Sequence, residues 1–271
     1  MISAARLPAD RGTPSLAARA LDVLAYEWVK FWSVRSTPWT LLAALVTPVV
    51  LSDLVAFITA QSPSPAPSGP PPDPMFASFL GLEYAVLAVC VLGVLQFSSE
   101  YSTGLIRTTF VAVPRRRAVL AAKAAVTGSV LLLAGEGVSF TSFFIVQGVL
   151  HTRHLGVSFA HPGALGAVLA NGTLLLACSL FALAVGAIAR HTAGGIAATI
   201  ALITVPSILG LLPAPWGSRI GRFTLIDAAQ QVSYLHPRPD LLSPAWSLLV
   251  LSAWPATALA VAAVRITRSQ T

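Results

Sequence analysis

This chain is poor in charge. It has 17 basic and 10 acidic residues, 10% of its 271 positions, where an ordinary soluble domain carries about 25%. Lysine is scarcer still, with only Lys30 and Lys123, and neither follows a glycine. A phosphate-binding P-loop needs Gly-x4-Gly-Lys-Ser/Thr, so this chain has no nucleotide-hydrolysing site of that kind. There are two cysteines, Cys90 and Cys178, each deep in an apolar stretch with no Cys or His at metal spacing. They predict neither a disulfide framework nor a zinc centre, and read as small apolar groups in helix packing. His-Glu-x-x-His, Gly-x-Ser-x-Gly and Gly-x-Gly-x-x-Gly motifs are missing too, so the sequence offers no catalytic, cofactor-binding or metal residues.

What the chain has in quantity is apolar sequence: 55% hydrophobic residues and a mean hydropathy of +0.77. It gathers into six stretches, 39–60, 76–97, 119–150, 163–189, 193–212 and 243–264, which contain only Asp53, Glu83, Lys123 and Glu136 among charged residues. A bilayer core about 30 Å thick needs about 20 apolar residues per helix, and all six stretches have them. The expectation is an all-α polytopic membrane protein with six transmembrane helices, residues 38–271 forming the membrane domain. A soluble enzyme is excluded. A nucleic-acid partner is not expected despite the +7 net charge, because membrane proteins keep Arg and Lys in cytoplasmic loops.

Those basic residues orient the chain. With the N-terminus inside, Arg6, Arg11, Arg19, Lys30, Arg35, Arg107, Arg115, Arg116, Arg117, Lys123, Arg190, Arg265 and Arg268 lie on the inner side, and Arg153, Arg219, Arg222 and Arg238 on the outer. The excess predicts an N-in, C-in topology. The segment 213–242 places three of those arginines outside; its part 218–234 is mildly amphipathic and reads as able to re-enter the outer interface.

Residues 1–14 lack an apolar core of the signal-peptide kind and read as a disordered N-terminus. From 15 to 37, Leu16, Leu21, Leu24, Trp28, Phe31 and Trp32 recur at helical spacing, with Arg19, Asp22, Lys30 and Ser33 largely off the stripe. This predicts an amphipathic cytoplasmic helix in the membrane interface, anchored by tryptophan; a plain extension of the first span is the alternative. Residues 62–74, SPSPAPSGPPPDP, read as a stiff extended connector. His151, His154 and His161 fall in one short loop without a nearby carboxylate, which reads as a polar loop. Asn171-Gly172-Thr173 matches a glycosylation acceptor, but inside the fourth span its polar groups are expected to face other helices.

Ionisable groups within spans are costly unless they face protein or water. Asp53 and Glu83 both lie seven residues from the outer ends of consecutive spans. They read either as an acidic lining of an outward cavity or as solvated groups paired with arginines such as Arg219 or Arg222. Glu136 is deeper, near the middle of the third span, and is expected at a helix–helix or subunit interface. Lys123 sits near the inner end of the same span, where a lysine can snorkel. Gly166-x3-Ala170 and Ala182-x3-Gly186 either permit close helix approach or reflect the general abundance of Ala and Gly in the chain.

Several segments together resemble the membrane-spanning (permease) subunits of ABC-2-type ABC transporters, particularly those of high-GC Gram-positive bacteria. They are YEWVKFWSVRSTPWTLL (26–42), SSEYSTGLIRTTFVAVPRRRAVLAAKA (98–124), FTSFFIVQGVL (140–150) and RHTAGGIA (190–197). The likeness covers about residues 20–268 and does not identify the substrate. It implies a multi-pass protein of the bacterial plasma membrane that dimerises with a second copy or a paralogue. It also implies that ATP is hydrolysed on a separate ATPase subunit, and that the transporter is an exporter of an apolar or amphipathic compound. By the same resemblance the connector at 98–117 meets the ATPase, which makes Glu100, Tyr101, Arg107, Arg115, Arg116 and Arg117 the coupling residues; the triplet Arg115–Arg117 reads equally as a topology signal that binds anionic lipid. The alternatives are a non-transporting membrane anchor or assembly subunit and an intramembrane enzyme.

Overall fold

A backbone inside a bilayer must satisfy its own hydrogen bonds, and a long apolar run does so only as a helix. The computed structural model describes residues 16–61, 73–113, 115–210, 212–213, 216–234 and 242–268, and these form helices and short turns without a strand. The order is α1 (Leu16–Ser33), α2 (Ser36–Gln61), α3 (Pro74–Thr103), α4 (Leu105–Ala112), α5 (Arg116–His151), α6 (Ala164–Ala189), α7 (Thr192–Leu209), α8 (Trp216–Gly221), α9 (Leu225–Ser233) and α10 (Pro244–Arg268). Six of them, α2, α3, α5, α6, α7 and α10, are long and apolar enough to cross a membrane. The chain is thus a multi-pass membrane protein by its architecture. The readings of 1–14 and of most of the proline-rich 62–74 connector fall outside the described residues.

Helix α6 is the centre. Its most apolar window is 72% buried, whereas α2, α7 and α10 bury only 17–28% of theirs and keep wide apolar faces outward. Helices α3 and α5 pack against α6, and α10, α9 and α7 complete its surround. Missing side chains set the closest approaches. A Cβ on Gly93 of α3 would collide with the Ser179 carbonyl of α6, and one on Gly186 would lie 2.7 Å from the Val94 carbonyl. The Ala182-x3-Gly186 pair is therefore a true contact with α3, while a Cβ at Gly166 would meet nothing.

Element ends follow local chemistry. Asp73 caps α3, its carboxylate accepting from the Met75 N–H, with Pro74 in the first turn. The second span does not stop at Phe97 as its hydropathy implies: α3 runs on to Thr103. Ser99, Ser102 and Thr103 return their hydroxyls to carbonyls one turn back, so polar residues continue the helix without water. It ends at Gly104, in the left-handed region at φ 74°, where only glycine sits without strain. The connector expected at 98–117 is thus the last turns of α3, a glycine joint and the short helix α4.

The bundle has two ends. The joint end carries Gly104, Arg116, Arg190 and the C-terminal turn of α10. The far end carries the α5–α6 turn and the segment α8–α9.

Candidate functional site

At the joint end, four charged side chains from three helices form one chain of ion pairs. Glu27 of α1 accepts from Lys123 of α5 at 2.7 Å. Lys123 also pairs with Glu100 of α3, and the same Glu100 oxygen takes Lys30 of α1 at 2.5 Å. Glu27, Glu100 and Lys123 are at most 4% exposed. The cluster is neutral overall, two acids against two lysines, as burial requires: an isolated buried charge is far more costly than a matched one. Lys123 therefore does not snorkel. It turns into the protein, over the Phe97 ring at 5.8 Å.

The cluster also reorients α1. Glu27, Lys30 and Phe31 face the bundle, with Phe31 buried in the core. Leu21, Trp28 and Trp32 from the predicted apolar stripe are exposed, with the two indoles edge to face at 6.0 Å. Lys30, read from the sequence as pointing away, is an inward residue. Hydropathy placed it wrongly because its partner, Glu100, lies 70 residues further along the chain.

The other coupling residues surround this cluster. Tyr101 is half-buried, stacked near Phe97 with the Arg190 guanidinium 5.5 Å above its ring. Arg190 itself holds a left-handed turn at φ 58° between α6 and α7. Arg116 lies over Phe110 of α4 at 4.9 Å and donates to the Ile266 carbonyl of α10. Arg115 and Arg117 are exposed. Arg107 lies on α4. Of the six residues assigned to coupling, Glu100 differs most from its reading: it is an interior group of α3, 1% exposed, rather than a side chain on the connector's surface. Sequence reasoning passed over Glu27; its only signal was an acid three residues before Lys30 on an otherwise aromatic segment.

The far end holds a second polar set. Glu83 of α3 accepts from the amide of Gln230 on α9. Asn171 of α6 donates to Ser233 of α9 at 2.5 Å and to the Ala167 carbonyl at 2.9 Å. Thr224 caps α9, accepting from the Asp227 N–H. A gap of about 20 Å³ among Glu83, Asn171, Gln230 and Ser233 is the size of one water. Helix α9 buries Leu225, Ala228 and Ala229 against α6 and α10, and the Trp254 indole, ten residues into α10, donates to the Phe223 carbonyl. The amphipathic 218–234 segment is thus drawn down among the spanning helices, not laid over their ends.

Asp53 and Glu83 lie at one level, because the Gly81 N–H of α3 donates to the Ser52 hydroxyl of α2 at 3.0 Å. Glu83 nevertheless turns to α9, and the buried Asp53 Oδ1 has no hydrogen-bond partner. Glu136 of α5 lies against Gly172 of α6, where a Cβ would come within 2.6 Å of both carboxylate oxygens. Thr173 donates to its Oε1 at 3.4 Å. Asn171, Gly172 and Thr173 all face other helices, as expected.

Among the described residues no three His, Cys, Asp or Glu side chains converge as a metal site would require. No model of a known protein family matches the chain, and no curated protein matches it.

Proposed function

We propose that this chain is the permease subunit of an ABC-2-type ABC transporter, embedded in a bacterial plasma membrane. It works as a dimer with a second copy or a paralogue, and a separate ATPase subunit hydrolyses ATP for it. The observation that carries the reading is the buried Glu27–Lys123–Glu100–Lys30 chain beside the α3–Gly104–α4 joint. It ties α1, α3 and α5 together at one end of the bundle. A partner pressing on α4 and α1 would move the two spanning helices with them, because breaking a buried ion pair is costly.

In this reading the joint end is cytoplasmic, giving N-in, C-in, and α1 lies in the interface with Trp28 and Trp32 toward lipid headgroups. The exposed Arg115 and Arg117 form the docking surface together with the α4 segment that carries Arg107, Tyr101 and Arg116 support it, and Glu100 transmits the motion from inside. The transported compound is apolar or amphipathic and moves outward. No cofactor is bound by this chain.

The test is co-expression with the product of the neighbouring reading frame, expected to be a P-loop ATPase, followed by co-purification and ATP-driven uptake into inverted vesicles. The expected result is a stable complex whose ATPase activity falls at least tenfold in coupling when Arg115 and Arg117 are both changed to Ala, with membrane insertion intact. A complex that never forms, or coupling unchanged in that variant, would overturn the assignment.

A further inference from the structure

Glu136 is linked through Thr173 to an apolar groove. Between α6 and α10 lies a space of about 300 Å³, bounded by Thr173, Leu176, Leu180, Leu251, Pro255 and Leu259. That volume is at the lower end of small-molecule sites, roughly 300–1,000 Å³. Of its ten lining residues only Thr173 and Ser252 carry side-chain polar atoms, and it opens at the protein surface beside the exposed Leu248 and Ala256.

The polar end of this groove leads to an acid through one hydroxyl. The Thr173 hydroxyl that lines it donates to Glu136 Oε1. The other carboxylate oxygen, Oε2, is buried with no hydrogen-bond partner. Among the described residues no ion pair neutralises Glu136; the three recorded pairs all belong to the joint-end cluster. Gly172 leaves the carboxylate its space, since a Cβ there would strike it. An acid held within a membrane-spanning helix, one hydroxyl away from an apolar groove and with one oxygen unpartnered, can pair with an incoming cation.

We propose that this groove binds a single-chain amphipathic cation: an apolar tail along α6 and α10, with a protonated amine at Thr173, next to the carboxylate that Thr173 bonds. Thr173 lies about 13 Å along α6 from its far-end start, and Leu180 about 24 Å. The amine thus sits toward the far end and the tail toward the middle, the orientation such an amphiphile has in the leaflet on that side. The site concerns binding and stands apart from the transporter reading, so either can fail alone.

The probe is dodecylamine, with dodecanol as the uncharged control, titrated by calorimetry into the full-length chain in nanodiscs of zwitterionic lipid. Empty nanodiscs supply the partitioning background. The expected result is one saturable site for dodecylamine, at least tenfold weaker for dodecanol. Glu136→Gln lowers dodecylamine affinity at least tenfold and leaves dodecanol unchanged. Ala256→Trp, at an exposed lining position, fills the groove and removes both. Where Glu136→Gln fails to fold, the amine-to-alcohol ratio on the native chain and the Ala256→Trp variant decide the matter. Equal binding of amine and alcohol would overturn the proposal in favour of a lipid-tail groove. No saturable binding, with a dimer that Ala256→Trp converts to monomer, would overturn it in favour of a second copy on this face.

Discussion

Lys123 of α5 and Glu27 of α1 meet at 2.7 Å with 2% and 4% of their side chains exposed, joining residues 96 positions apart. The link makes α1 part of the bundle, because neither charge can leave without stranding the other.

The first prediction concerns that stranding. Lys123→Ala leaves Glu27 and half of the Glu100 bonding uncompensated and is expected to cost about 3–5 kcal/mol. The double change Glu27→Gln with Lys123→Met removes the exposed imbalance and recovers much of the loss. Thermal unfolding in detergent, followed by circular dichroism, reads both; equal melting temperatures for the single variant and the native protein would refute the cluster's role.

Glycine positions separate two kinds of cost. Gly104→Ala keeps the joint but forces a Cβ into the left-handed region, about 1–2 kcal/mol. Gly93→Val drives a side chain into the Ser179 backbone and is expected to abolish the folded monodisperse species on size exclusion. If Gly93→Val were the milder of the two, the α3–α6 contact would not be the close approach described.

Topology is measurable by single-cysteine labelling without removing the native thiols, since Cys90 and Cys178 are buried at 1% and 0% exposure. Both Arg117→Cys and Arg153→Cys place a thiol at an exposed site. In intact cells an impermeant maleimide is expected to label the second and spare the first. The reverse pattern would invert the proposed N-in orientation.

Helix α9 is held by its polar contacts with α3 and α6. Changing Gln230 to Leu removes the partner of Glu83, and Asn171→Leu removes that of Ser233. Each is expected to unseat α9, so that a reporter thiol at Ala229, fully buried in the native chain, becomes reactive at least tenfold faster. Unchanged reactivity in both variants would mean that apolar packing alone seats α9.

The sequence by itself determined the number of spanning helices and their approximate bounds. Hydropathy is a local quantity, summed along the chain, and a run of twenty apolar residues has one stable arrangement in lipid. Small-residue spacing marked Gly166 and Ala170 as readily as Ala182 and Gly186, and only the packing of α3 on α6 showed the second pair to be a close approach. Only the tertiary structure decided what the few charges do. Hydropathy ended the second span at Phe97 and set Glu100 in a connector, but hydroxyls bonded back along α3 carry the helix to Gly104 and turn Glu100 inward. Lys30 read as an outward residue and Lys123 as a snorkelling one until their carboxylate partners, on other helices, were in place. Glu136 gains its meaning from Gly172, Thr173 and a groove built with α10. A charge pair depends on the angle and depth at which distant helices pack, and neither quantity is written in the local run of residues.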